Sequence, residues 1–341
     1  MKAAHLVKKG KADRAFEIRE VDQPVIQAGE VLIKVDAFGL NFADVMIRMG
    51  TYSEAPPFPT IPGYDVVGRV TDIHSQTDTS LAVGDRVIAI TRFGGYAEYV
   101  TTDHRAVAKI SEDIPLTLAT ALATQGCTAY YMSMDLTNIH PGDHVLVHAA
   151  AGGVGSILCQ IAKHQEAVVY GTASSPEKLD YLRSIGVDHP INYKDQAFDK
   201  SIKSILGNPK GLSLIFDAVG GSSIKKGLRL LTAGGRIICF GAAALTSAKT
   251  IFGKIGVALG FGFYSPIALL NPSKSLMAVN MLTLGDEQPH IIQRVMKGVI
   301  DLYNQGIIKP LDGGLYGIDE LAEVHDALEN RKTMGKVAVR W

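Results

Sequence analysis

The sequence predicts an α/β protein of two domains, a doubly wound parallel sheet inserted into a β-rich unit. Three observations lead there. The chain has 341 residues, and domains run to ~100–200 residues each. Its first 125 or so residues alternate and turn like strands. From about Thr128 the pattern changes to strand and helix in regular succession.

In the first part, GEVLIKVDAFGL alternates like a strand, and VVGRVTDI and DRVIAI follow with a turn at Gly84-Asp85. Pro56, Pro57, Pro59 and Pro62 cluster in one stretch, which reads as loop. After Thr128, the strand HVLVHA runs into a glycine-rich turn and a helix. Val154, Ile157, Leu158, Ile161 and Ala162 share one face of that helix. Strand AVVYGTAS, helix PEKLDYLRSIG, strand HPINY, helix FDKSIKSILG, strand LSLIFDAV, a helix through SSIKKGLRLL and strand GRIICFGAA come next. Such alternation implies parallel strands with helices on both faces. SLMAVNML reads as one more strand. Helices around 288–305 and 319–331 and a last strand, GKVAVR, complete the tail, which is expected to rejoin the N-terminal unit.

Composition narrows the function. Lys plus Arg and Asp plus Glu both total 34, so the net charge is zero, and no dense basic run points to nucleic acid. Cys127, Cys159 and Cys239 form no CxxC pair, so neither a disulfide framework nor a cysteine-rich zinc site is indicated. Met1 leads directly into strand-like MKAAHLV without a signal-peptide core, so a cytoplasmic location is expected. Ile251 to Leu270 carries one charge, Lys254, and approaches the ~20 apolar residues of a membrane span. Its four glycines and its proline favour an apolar lid or a subunit contact, and no integral span is expected.

The strongest motif is HAAAGGVGS, His148 to Ser156, between a strand and an amphipathic helix. Glycine lets backbone approach a pyrophosphate, and the helix start offers free N–H groups. Ala150, Gly152 and Gly155 take the three positions of G-x-G-x-x-G, with alanine replacing the first glycine. The strand-turn-helix context makes this a Rossmann-type dinucleotide turn. NAD sites place an acid at the tip of the following strand. Here the strand ends in Thr172-Ala173-Ser174-Ser175, Lys178 stands one turn later, and Tyr193 ends the next strand. A missing acid and an available ammonium favour NADPH.

The order of GLNFADVMIRMGTY, IPGYDVVGRV, GDRVIAI, LATQGCTAYY, HPGDHVLVHAAAGGVG, GTASSPEKL and the final GKVAV resembles the zinc-independent branch of the medium-chain dehydrogenase/reductase superfamily. Within it the chain is most similar to quinone oxidoreductases of the VAT-1-like group, through VLVHAAAGGVG, GTAS, HPINY and LYNQGIIKP. The resemblance spans the whole chain. It implies a GroES-like catalytic domain over 1–125 and 270–341, a Rossmann NADPH-binding domain over 126–269, a cofactor in the cleft between them, and a homodimer formed through the last Rossmann strand. It places Asn41 near the nicotinamide and its ribose, and Thr128 near the nicotinamide-side phosphate or carboxamide. Ala151, Gly152, Gly153 and Val154 would line the pyrophosphate. Ser174, Lys178 and Tyr193 would hold the 2′-phosphate, and Phe240 and Gly241 would flank the nicotinamide-side wall.

Zinc-dependent relatives use a Cys, a His-Glu pair and a second Cys, where this chain has Asn41, Tyr64-Asp65 and Thr124. One carboxylate is not a tetrahedral N/S set, so no metal is expected. Hydride transfer to a quinone or an enone leaves an oxyanion. Asn41, an amide donor, and Tyr52, a hydroxyl donor, are the catalytic candidates. Position 46 is Met where some quinone reductases carry tyrosine, and Tyr64 replaces a small residue or methionine. Asp44 and Arg48, one turn apart, are expected to form an ion pair. His148 reads as a packing residue at a strand end. The expected function is NADPH-dependent reduction of quinones or α,β-unsaturated carbonyls. The alternatives are an alkenal or enoyl reductase of the same superfamily, a zinc alcohol dehydrogenase, and an NADPH-binding scaffold or sensor.

Overall fold

The computed structural model describes residues 1–247 and 250–341. The chain divides into two compact units. One comprises Met1–Thr128, Met281–Gly306 and Pro310–Trp341; the other comprises Ala129–Asn280 and Ile307–Lys309.

The first unit holds strands β1 (Lys2–Leu6), β2 (Phe16–Glu20), β3 (Glu30–Leu40), β4 (Asp65–Ile73), β5 (Arg86–Ile90), β6 (Tyr99–Asp103) and β7 (Val107–Lys109). The second holds β8 (His144–Val147), β9 (Val168–Ala173), β10 (His189–Asn192), β11 (Leu212–Asp217), β12 (Leu231–Cys239) and β13 (Ser275–Ala278). The chain then returns to the first unit with β14 (Asp312–Gly317) and β15 (Lys336–Arg340).

In the first unit, the main sheet runs β14-β15-β3-β4-β5-β7, with β6 also paired to β3. The apolar positions of β3 explain its place at the centre. Val31, Ile33, Val35, Phe38 and Leu40 pack with Val66, Val70, Val87, Val337 and Val339 in one core. Phe38 stacks on Tyr96 at 4.2 Å between ring centroids. The stretch read as strands and turns also contains helix Phe42–Arg48 and, at its end, Leu116–Ala121.

The second unit is a six-stranded parallel sheet in the order β10-β9-β8-β11-β12-β13. This is the doubly wound order, which reverses between β8 and β11; ligands of such sheets bind at the carboxyl ends beside that reversal. Helix Gly153–His164 buries Ile157, Leu158, Ile161 and Ala162 of the face read from the sequence, while Val154 in its first turn is half-buried. The unit reaches Asn280, past the expected boundary at 269, because β13 pairs in parallel with β12.

The apolar stretch folds as helices Ile251–Phe261 and Pro266–Leu270. Phe252, Leu259, Phe263, Ile267 and Leu270 are all exposed. Among the described residues no helix is long and apolar enough to cross a membrane.

Candidate functional site

In the second unit, the turn after β8 has the form its sequence suggests. Ala149 takes φ 52, a left-handed conformation that costs an L-residue about 1–2 kcal/mol. The Ala150 N–H donates to Thr172 O at 3.0 Å, tying the turn to β9, and the Gly152 N–H donates to Ala149 O at 2.9 Å. A Cβ on Gly155 would overlap Ala149 O and lie 2.8 Å from the Ala150 Cα. Only glycine lets the helix start sit this close to the turn. Gly152 is the N-cap and no side chain caps the helix. Gly153 and Val154 open it, Ala151 precedes the cap, and the first-turn N–H groups give a partial positive charge.

Below the turn lies a buried polar network. His148 Nδ1 is 3.1 Å from Thr172 Oγ1, and its Nε2 is 4.0 Å from Asp217 Oδ2. Burial holds the imidazole below its usual pKa, against the pull of Asp217. Asp217 Oδ1 accepts the Val219 and Gly220 N–H groups at 2.7 and 2.8 Å, and Oδ2 accepts the Ser223 hydroxyl at 2.6 Å. Asp217 thereby shapes the loop leaving β11, a role not read from the sequence. Phe240 follows β12 and donates its N–H to Asp217 O at 3.0 Å. Gly241 is pressed against the same loop, since a Cβ there would lie 2.6 Å from Ala218 O.

Ser174 stands buried at the tip of β9, beyond Thr172 and Ala173. The Tyr193 N–H donates to Ala173 O at 3.2 Å, which brings the exit of β10 to that tip. Lys178 is half-buried, one turn into helix Pro176–Ser184. The strand tip itself carries no carboxylate. Glu177, which the sequence reading passed over, is exposed, and a hydrogen bond from the Ser175 hydroxyl lowers its pKa.

In the first unit, Asn41 and Asp65, two of the residues matched to zinc-ligand positions in the sequence, converge on an ammonium. Lys336 Nζ lies 2.6 Å from Asp65 Oδ2 and 3.1 Å from Asn41 Oδ1. Asn41 Nδ2 donates to Asp65 Oδ1 at 3.2 Å, and the neighbouring Thr124 hydroxyl donates to Tyr64 O at 3.3 Å. Lys336 and Asp65 are both fully buried. Burial pushes the Asp65 carboxyl up, while Lys336, Asn41 and Thr124 pull it back. Gly39 makes room for the pair, because a Cβ there would overlap Lys336 Cε and lie 2.5 Å from Asp65 Oδ1. Thr128 donates its hydroxyl to Thr124 O at 2.6 Å.

Asn41 is the N-cap of helix Phe42–Arg48, yet its side chain is engaged with Asp65 and Lys336. Asp44 serves that end instead: its Oδ2 accepts the Asn41 N–H at 2.8 Å. The expected Asp44–Arg48 ion pair is corrected by this arrangement. Arg48 pairs with Glu329 and donates to Gly10 O, while Asp44 faces the helix start. Burial lifts the Asp44 carboxyl to about 7, and its Oδ1 has no partner.

Tyr52 packs edge-on to Tyr64, with ring centroids 6.3 Å apart, and Tyr64 meets Phe93 at 5.4 Å. Phe58, Ala55 and Leu282 complete this apolar cluster. Burial raises the pKa of both tyrosines, so both are phenols at neutral pH. Tyr64-Asp65 thus connects the two predicted catalytic residues: Asp65 holds Asn41, and the Tyr64 ring meets Tyr52.

Comparison with known proteins identifies both domain types. Residues 27–112 match the alcohol dehydrogenase GroES-like domain, and residues 153–265 match the domain described as zinc-binding dehydrogenase. The chain is 34% identical to the Rattus norvegicus synaptic vesicle membrane protein VAT-1 homolog, covering 94% of this chain and 79% of that one. It spans 65% of the length of the Danio rerio protein of the same name, at 32% identity over 92% of this chain. It is 32% identical to a probable quinone oxidoreductase of Schizosaccharomyces pombe, covering 94% and 90% of the two chains. Among solved structures, Escherichia coli quinone oxidoreductase complexed with NADPH superposes with a TM-score of 0.84 at 25% identity, covering 100% of both chains.

Proposed function

Because the chain belongs to the VAT-1-like quinone oxidoreductase branch of the medium-chain dehydrogenase/reductase superfamily, we propose that it is an NADPH-dependent oxidoreductase that reduces quinones or α,β-unsaturated carbonyls without zinc. The uncapped turn Ala151–Val154 carries this reading. The space left by Gly155, the bare helix start and the carboxylate-free tip of β9 fit a dinucleotide with an extra phosphate. Ala151, Gly152, Gly153 and Val154 hold the pyrophosphate; Ser174, Lys178 and Tyr193 hold the 2′-phosphate. Thr128, Phe240 and Gly241 are assigned to the nicotinamide side.

When bound, NADPH supplies the hydride. The protein orients the acceptor and manages the charge that develops on its oxygen. An ammonium only donates, so Lys336 turns the Asn41 oxygen toward itself and fixes which way the amide faces. One Asn41 N–H goes to Asp65, and the other is assigned to the acceptor oxygen. Tyr52 remains a phenol and can pass its proton to the reduced oxygen. A catalytic zinc does not fit, since an ammonium spans the Asn41 and Asp65 oxygens and, among the described residues, no thiolate or imidazole joins them. The Cys127 thiol is buried, raised in pKa, and donates to Leu122 O.

We also infer a homodimer joined through β13, the edge strand of the parallel sheet, and a cytoplasmic location in keeping with three free cysteines. The functional test is NADPH consumption with a panel of quinones, enones and aldehydes. Turnover with quinones or enones supports the proposal. NADPH binding without turnover of any acceptor refutes it in favour of a scaffold or sensor.

A further inference from the structure

Tyr64 is only 5% exposed, yet its Oη has no partner at hydrogen-bond distance. A buried phenolic hydroxyl without a partner costs about 1–3 kcal/mol and is retained where something uses it. Its polar neighbour is the Tyr52 hydroxyl, and the two rings meet edge to face at 6.3 Å. At rest the two hydroxyls are not hydrogen-bonded, so Tyr64 keeps an uncommitted O–H beside the Tyr52 ring. Phe93, with its ring centroid 5.4 Å from that of Tyr64, and the buried Leu6 and Ile47 belong to the same apolar cluster as the Tyr64 ring.

Resting on the reductase reading above, we propose that Tyr64 is a positioning residue for proton donation by Tyr52, steadying the Tyr52 oxygen as its proton leaves. Hydride addition delivers two electrons to the acceptor and leaves negative charge on its oxygen. The Tyr52 O–H bond breaks, a new O–H bond forms on the acceptor, and Tyr52 becomes a phenolate. Tyr64 keeps its proton and donates a hydrogen bond to that phenolate, which water then reprotonates. A hydrogen bond to a charged oxygen is worth more than one to a neutral oxygen, so Tyr64 favours the transition state over the resting pair. It also holds Tyr52 to one orientation, which suits a planar acceptor bearing a conjugated carbonyl.

The test is a double-mutant cycle of Tyr52→Phe and Tyr64→Phe, read by kcat with NADPH and a benzoquinone or an enone. Each variant is accompanied by its NADPH Kd and thermal midpoint. Tyr64→Phe is expected to lower kcat about tenfold with NADPH affinity unchanged. The alkaline limb of its pH profile should move to higher pH, because Tyr52 loses the donor that eases its ionisation. In the Tyr52→Phe background, Tyr64→Phe should change kcat little. Equal losses in both backgrounds, or an unshifted pH profile with full kcat, would overturn the assignment of Tyr64 alone. No turnover by the unaltered protein with any acceptor would overturn the reductase reading together with it.

Discussion

Replacing Lys336 by methionine removes the ammonium at the centre of the first unit while keeping most of the side-chain volume. The magnitude follows from the geometry. Lys336 Nζ sits 2.6 Å from Asp65 Oδ2, and both side chains are fully buried. Removing one partner of a buried pair strands the other charge and costs about 3–5 kcal/mol. That is a large share of the roughly 5–15 kcal/mol that holds a typical fold together. The Asn41 oxygen loses a donor as well. In the variant the carboxyl of Asp65 should rise further than burial already lifts it. A carboxyl whose folded pKa is raised gives stability that is fully present below its unfolded pKa and lost as pH rises through its folded pKa. The deficit of Lys336→Met should therefore shrink at acid pH and be largest at neutral and alkaline pH. Adding Asp65→Asn should recover much of the loss, since no stranded charge then remains. Urea unfolding of the native protein and the two variants across pH measures all of this. A loss below about 1 kcal/mol at neutral pH, the size of a solvated surface pair, would refute the reasoning.

Asp44, lifted to about 7 by burial, stabilises the fold when protonated. Its contribution is complete below the ordinary carboxylate range and disappears as pH climbs through about 7, so Asp44→Asn should flatten that decline in urea midpoints. An unchanged slope between the native protein and the variant would exclude Asp44 as its source. Gly155→Ala sets a methyl against Ala149 O and should weaken NADPH at least about tenfold by calorimetry. Wild-type affinity in that variant would mean the helix start does not hold the pyrophosphate. Lys178→Ala should weaken NADPH far more than NADH, and equal weakening of both would remove Lys178 from the 2′-phosphate site.

What the sequence revealed was mostly local. The strand, glycine turn and apolar helix face at 148–162 lie within one short segment, so their period and spacing declare them. Ser174 and Lys178 could be placed because both follow directly from β9. Lys336 was out of reach: its partners lie 271 and 295 residues away, and no spacing rule connects them. The signal that existed was indirect, in zinc-ligand positions filled by Asn41, Asp65 and Thr124, oxygen-bearing side chains that call for a cation. The Asp44–Arg48 reading failed because a one-turn charge pair competes with a helix start that lacks its side-chain cap. With the Asn41 side chain taken by Lys336 and Asp65, Asp44 turned back to the Asn41 N–H. Arg48 was then left to pair with Glu329 from the other end of the sequence. The domain boundary near 269 stopped short because β13 follows a long apolar excursion, and only its pairing with β12 shows where it belongs.

Calorimetric titration of the purified protein with NADPH and, separately, with NADH asks most directly whether the turn beside Gly155 receives a phosphorylated dinucleotide. Saturable binding of NADPH, tighter than that of NADH, is the outcome the account requires. If neither dinucleotide binds, or if NADH binds the more tightly, the cofactor assignment is contradicted.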